Sequence, residues 1–273
     1  MDSISQENWV GAKKTIDLPT GLKMKYVEMG PADGKVIIFL HGMTDNSRNW
    51  SLIAPYFVNK FHIFMPDQRG HGDTDKPDLR MYPTCLYAQD LAAFMDLKGL
   101  KKAHIVGHSL GSMIAQDFAV NYPEKVDKLV LVSSAPVEFA SLGREIYDVA
   151  LALGDKQPDD AFMAEWYANP IPVDEDFLKR EMAESQNLPP HAWRAITKGA
   201  AYSHLIPFMD ELKSPTLIIW GGQDPIFGEE AQKSLKKLIP QAAFIAYEKS
   251  GHNPQWENSE KMAQDVRAFL EKR

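Results

Sequence analysis

"HIVGHSLGS", residues 104–112, is the stretch on which the fold turns. Its first residues are β-formers in a short buried-strand pattern, while "LGSMIAQDFAVNYP", from Leu110 onward, has helical spacing. Between the two, Gly107 and Gly111 flank Ser109 in the pattern G-x-S-x-G. A strand that becomes a helix in so few residues must hold its central residue at strained backbone angles. Side chains at the flanking positions would strike neighbouring backbone, so glycine is required there. The turn lifts the Ser109 hydroxyl above the carboxyl end of the strand, at the N-terminus of the helix. Unpaired N–H groups at that end favour developing negative charge. Ser109 is therefore a candidate nucleophile; the bland alternative is a capping serine in a glycine turn.

The same rhythm repeats on both sides of this stretch. "KKTIDL" (13–18) and "KMKYVEMG" (23–30) read as a hairpin. "KVIIFLHG" (35–42) and "FHIFMPDQRGHG" (61–72) are apolar runs ending in glycine turns, the mark of strands covered on both faces. "SRNWSLIAPYF" (47–57) and "TCLYAQDLAAFMDLKGL" (84–100) are predicted helices, and "KLVLVSS" (128–134) is a further strand. The alternation stops over 137–210, where Pro158, Pro170, Pro172, Pro189 and Pro190 punctuate helix-like segments rich in Met and aromatics. It resumes at "PTLIIWGGQD" (215–224), "EEAQKSLKKLI" (229–239), "AAFIAYEKSGH" (242–252) and a last helix over 259–273. Strand–helix alternation implies right-handed crossovers and a mostly parallel sheet. The sheet needs strands from both sides of the interruption. Residues 1–136 and 211–273 are thus expected to form one core domain, with 137–210 a helical insertion.

A chain of 273 residues suits one large core and is short for two. Net charge is −7, with Lys and Arg scattered, which argues against a nucleic-acid or anionic-lipid partner. Cys85 is the one cysteine, so no internal disulfide can form and a reducing, cytoplasmic location is expected. The start "MDSISQENWVGAKK" lacks a basic stretch followed by an apolar run, so no signal peptide is expected. No apolar run approaches the ~20 residues of a membrane helix. "DTDKPD" (73–78) has three spaced carboxylates but lacks the central glycine and terminal glutamate of a calcium loop, so neither metal nor cofactor is expected.

A serine hydroxyl needs a base. His108 is adjacent, but consecutive residues at a sharp turn point apart, which leaves it a supporting role in packing or hydrogen bonding. His41, His62, His71, His104, His191 and His204 sit in glycine turns, at strand starts or in the insertion, where a histidine is usually structural. His252 instead follows the last strand, at the carboxyl edge where Ser109 emerges. A carboxylate must fix its tautomer; Asp224, in the turn after the preceding strand, fits, with Glu138 the fallback. Oxyanion donors are expected from the backbone N–H of Leu110, directly after the nucleophile, and of Met43, after His41-Gly42.

With these residues in hand, the chain resembles the α/β-hydrolase family over nearly its whole length. The resemblance rests on "FLHG", "PDQRGHGDTDKP", "VGHSLGS", "WGGQD" and "SGHNPQWE", which stand in the family's order. It implies an eight-stranded, mostly parallel sheet flanked by helices, with 137–210 a helical cap over the pocket. It also implies Ser109, Asp224 and His252 as nucleophile, acid and base, with Met43 and Leu110 as oxyanion donors. Asp67, Gly70 and Gly72 match the family's D-x-x-G-x-G loop, taken as structural. Two departures stand out. Ser112 occupies the place of a second glycine after the elbow, implying looser helix–strand packing or an extra polar group. The nucleophile is Ser and not Asp, which argues against the dehalogenase and epoxide-hydrolase branches.

The expected activity is cleavage of a small or medium hydrophobic carboxylic ester through an acyl-enzyme, without a cofactor. His41, His108, Phe139, Trp166 and Tyr167 are candidate pocket residues. The same machinery serves lactones and hydrolytic C–C cleavage of vinylogous diketones. A ligand receptor built on this fold is the alternative from another class. The sequence leaves the oligomeric state open.

Overall fold

The structure is a computed structural model that describes residues 4–138 and 141–272. One eight-stranded sheet runs through it in the order β1-β2-β4-β3-β5-β6-β7-β8. β1 (Lys14–Asp17) and β2 (Lys23–Met29) form the expected hairpin, with Lys14 opposite Tyr26. β2 also lies antiparallel to β4 (Phe61–Pro66). β3 (Lys35–Leu40), β4, β5 (Ala103–His108), β6 (Val126–Val132), β7 (Thr216–Gly221) and β8 (Ala243–Tyr247) are parallel. All six therefore end on one edge. β3 leads outward to β4 on one side and is flanked by β5 on the other, so the strand order reverses there. That crevice is where open α/β sheets build their sites.

The apolar runs are continuous because both faces of the sheet are covered. Ile38 and Leu40 of β3, with Ile105 of β5, face a core shared with α1 (Thr84–Leu97), α2 (Leu110–Asn121) and Leu235 of α7 (Glu229–Leu238). Alternate residues Ile37, Phe39 and Val106 face the second core, closed by Met262, Ala263, Val266 and Leu270 of α9 (Ser259–Glu271). Between β6 and β7 the described residues hold no strand. They form α3 (Ser141–Ala152), α4 (Asp160–Trp166), α5 (Glu175–Gln186) and α6 (Pro190–Tyr202). A short α8 (Pro254–Glu257) precedes α9. No helix of the described residues is long and apolar enough to cross a membrane.

One predicted helix is not formed. Residues 47–57 make two 3₁₀ turns, Ser47–Trp50 and Ala54–Tyr56. Pro55 has no N–H to extend an α-helical ladder, and the bonds Ser51 N→Arg48 O and Phe57 N→Ala54 O close three-residue turns. Polar groups here answer to distant partners: Ser47 N–H donates to Asp67 Oδ1 at 2.8 Å, and Trp9 Nε1 donates to Ser47 Oγ at 3.2 Å.

Candidate active site

Ser109 lies between β5 and α2 at φ 50°, ψ −119°, a conformation L-residues avoid. A Cβ on Gly107 would strike the Gly111 carbonyl, and one on Gly111 would strike Leu40 O and stand 2.5 Å from His41 O. The glycines of the motif thus let the elbow pass against the end of β3. Holding Ser109 there costs about 1–3 kcal/mol. Ile105, Val106, Leu110 and Ile114 around it are almost fully buried. At about 1.5–3 kcal/mol for each buried side chain, these flanks outweigh the strain. Ser112, where a second glycine was the common pattern, supplies a polar group: its hydroxyl donates to Ser109 O at 2.6 Å and lies 2.7 Å from Ser134 Oγ.

Ser109, half-buried, opens onto a cavity of about 500 Å³. His252 lines the same cavity, although no hydrogen bond from Ser109 Oγ to it is formed among the described residues. His252 Nδ1–H donates to Asp224 Oδ2 at 2.9 Å, and the aspartate side chain has no solvent exposure. Asp224 Oδ1 accepts from Ile226 N at 2.8 Å and Phe227 N at 3.1 Å, so the carboxylate is held at both oxygens. Glu138, the fallback acid, also lines the cavity, but the imidazole nitrogen is on Asp224.

Met43 and Leu110 line the cavity, and neither backbone N–H is taken by another described residue. The Leu110 N–H also sits at the positive end of α2. Beside Met43, Thr44 has φ 66°, strain unusual for a β-branched residue. Its hydroxyl donates to Met43 O at 2.6 Å and accepts from Trp166 Nε1 at 3.1 Å.

Trp166, Tyr167 and His108 line the cavity. The expectation that His41 lines it is corrected. His41 is fully buried, donates from Nδ1 to Gly42 O at 2.9 Å and accepts at Nε2 from Gln68 N at 2.9 Å. Burial lowers its pKa to about 4. It is a neutral tie between the ends of β3 and β4. Phe139 lies outside the described residues. Asp67 is likewise structural, accepting from Ser47 N, Asp73 N and Lys13 Nζ. Among the described residues no group of three His, Cys, Asp or Glu side chains is arranged to hold a metal ion.

Sequence reasoning missed Asp45. It lines the cavity almost fully buried, and burial raises its pKa to about 6 against hydrogen bonds from Tyr167 and Asn49. Tyr167 OH donates to its Oδ1 at 2.8 Å and Asn49 Nδ2 to its Oδ2 at 2.6 Å. The signal was a carboxylate three residues past Gly42, in the turn after β3. Trp256, four residues after His252, was missed in the same way; it lines the cavity and donates from Nε1 to Asn49 O. The charged groups lining the cavity among the described residues, Asp45, Glu138 and Glu230, are all acidic; no Lys or Arg joins them. The remaining wall, including Met113, Ile146, Ile226 and Phe227, is largely apolar.

The chain matches the family model of the alpha/beta hydrolase fold over residues 35–259. It is 28% identical over 264 residues to Lipase 1 of Psychrobacter immobilis, covering 94% of this chain and 83% of that protein. It is 26% identical over 254 residues to a 2-hydroxy-6-oxononadienedioate/2-hydroxy-6-oxononatrienedioate hydrolase of Comamonas testosteroni, covering 84% and 85%. A solved structure of a hydrolase from Pseudomonas aeruginosa PA01 has a TM-score of 0.86 at 20% identity, covering 96% of this chain and 99% of that one. At that identity the likeness concerns the fold. The matched stretch takes in every parallel strand and the loops that carry Ser109, Asp224 and His252, and on that match the chain belongs to the alpha/beta hydrolase fold family.

Proposed function

We propose that the chain is a serine hydrolase of neutral, apolar carboxylic esters. Ser109 Oγ attacks the ester carbonyl while its proton passes to His252 Nε2, and Asp224 stabilises the imidazolium through Nδ1–H. The Met43 and Leu110 N–H groups receive the oxyanion. Collapse breaks the C–O bond, and the departing alcohol takes the proton from His252. Water, deprotonated by the same nitrogen, then cleaves the acyl-enzyme and releases the acid and Ser109. The missing contact between Ser109 and His252 belongs to the free state, since such hydrogen bonds often tighten only with substrate. Residues 137–210 act as the cap: Ile146, Trp166 and Thr197 of its helices line the cavity.

The observation that carries this reading is the Asp224–His252 hydrogen bond opening onto the cavity that the strained Ser109 also faces. The lipase relative supports ester cleavage. The rival, C–C hydrolysis, has support in the Comamonas relative, whose named substrates are dicarboxylates. Among the described residues the lining offers such anions three carboxyl groups and no Lys or Arg. Neutral esters are therefore the better match.

Fluorophosphonate labelling tests the nucleophile. The wild-type chain is expected to label and to release nitrophenol from p-nitrophenyl butyrate, and the Ser109→Ala variant to do neither. Equal labelling of both refutes the assignment. Rapid loss of a coloured dienol substrate with no ester turnover would transfer the reading to C–C cleavage. Ligand-dependent partner binding without turnover would transfer it to a receptor.

A further inference from the structure

We propose that His108 is a positioning residue for the base: its ring N–H grips the His252 carbonyl and locks the loop after β8 against the end of β5, directly before Ser109. This rests on His252 acting as the base. His108 is 2% exposed and directly precedes Ser109, yet its ring nitrogens have Asn49 and the His252 carbonyl as partners and not that hydroxyl. It stands between Trp50 and Trp256, with ring centroids 6.5 and 6.3 Å away. Its Nε2 lies 2.9 Å from His252 O. A carbonyl can only accept, so Nε2 carries the hydrogen.

The opposite nitrogen fixes the rest. Asn49 Nδ2 approaches His108 Nδ1 at 3.4 Å, and the same amide donates to Asp45 Oδ2. An amide nitrogen is a donor, so it faces a bare Nδ1. Burial first, and the neighbouring His252 second, push the pKa of His108 well below the ordinary value, which keeps the ring neutral. Asp45 Oδ2, 3.8 Å from Nδ1, lies beyond a hydrogen bond. With both nitrogens engaged, His108 has none to offer Ser109. That excludes it as the base and gives it a different task.

The task follows from the topology. Ser109 and His252 follow strands β5 and β8, with β6 and β7 between those strands. Asp224 fixes the His252 ring through Nδ1, whereas the His252 main chain needs its own anchor. Gly251 N donates to Glu257 Oε2, on the short α8 that follows the loop, at 2.8 Å. His108 supplies a direct tie from that loop to the end of β5, directly before the nucleophile. A misplacement of about 1 Å in such a pair can cost about 10²-fold in rate.

The test compares His108→Phe with His108→Gln, counting active sites by fluorophosphonate titration so that misfolded molecules do not enter the rate. The Phe variant fills the site without a donor; its kcat per titrated site on p-nitrophenyl butyrate is expected to fall about 10²-fold, with KM little changed. The Gln variant, whose amide nitrogen replaces Nε2–H, is expected to recover most of that loss. A Phe variant at wild-type kcat, or equal losses in both variants, overturns the proposal. If the Phe variant fails to fold, ¹⁵N NMR of the wild-type chain decides: His108 must show a protonated Nε2 and a bare Nδ1 at neutral pH, and the reverse tautomer overturns the proposal. Wild-type protein that never labels at Ser109 would instead refute the serine-hydrolase reading.

Discussion

Replacing Asp224 by Asn should separate orientation from charge at the proposed base. The native carboxylate accepts three hydrogen bonds: Ile226 N and Phe227 N on Oδ1, and His252 Nδ1 on Oδ2 at 2.9 Å. An asparagine keeps an oxygen for the two backbone donors, so the turn should fold as before. Its NH₂ then faces Nδ1–H, donor against donor. The imidazole relieves this by moving its proton to Nε2, the nitrogen that must accept from Ser109. The wrong tautomer and the lost stabilisation of the imidazolium together cost about 10⁴-fold in kcat in a serine triad. At 1.36 kcal/mol per decade that is about 5.5 kcal/mol of the barrier. Turnover of p-nitrophenyl butyrate per folded molecule measures it, with circular dichroism verifying the fold. Asp224→Asn within tenfold of wild type would refute the reasoning, and a large loss in Glu138→Gln instead would identify the fallback acid.

Three further outcomes are expected. Gly111→Ala places a methyl 2.5 Å from His41 O and closer still to Leu40 O, both main chain. Overpacking of this kind costs about 1–3 kcal/mol, read as a lower Tm, and an unchanged Tm would contradict the close approach. Of two esters matched in length, p-nitrophenyl butyrate and mono-p-nitrophenyl succinate, the neutral one should have the higher kcat/KM. Glu138→Gln combined with Glu230→Gln should narrow the gap, and a preference for the anionic ester would refute the charge argument. Burial works against ionising Glu28, but hydrogen bonds from His62, Lys14 and Lys98 outweigh it and lower its pKa to about 2. A depressed carboxyl pKa contributes stability above the unfolded value, and that contribution is lost as pH falls toward 2. Wild type should therefore exceed Glu28→Gln in urea midpoint near neutrality, the gap closing in acid; a constant gap would overturn the assignment.

Much of the fold was legible because each piece leaves a local signature. Buried parallel strands are short apolar runs, and the elbow demands glycine on both sides of its serine whatever lies around it. The stretch 137–210 read as helical for the same reason, through its periodicity and prolines. Local signals failed where distant partners decide. "SRNWSLIAPYF" has helix-like spacing, yet Pro55 and the ties from Ser47 to Trp9 and Asp67 hold it in 3₁₀ turns. His41 and His108 look alike as histidines beside glycines. One is sealed between the ends of β3 and β4, and the other reaches across to the loop after β8.

The chemical inventory is written along the chain: a strained serine, a late histidine, an aspartate one strand earlier, and the order in which they occur. Which of these groups meet depends on the folded sheet. Parallel strands bring their carboxyl ends to one edge, so residues more than 100 positions apart, such as Ser109 and His252, share a wall. The same convergence leaves Asp45 buried beside Tyr167 and surrounds the cavity with acidic groups alone among its described charges. Such contacts have no period along the chain, because they are set by strand order and crossover geometry, and those exist only once the sheet has formed.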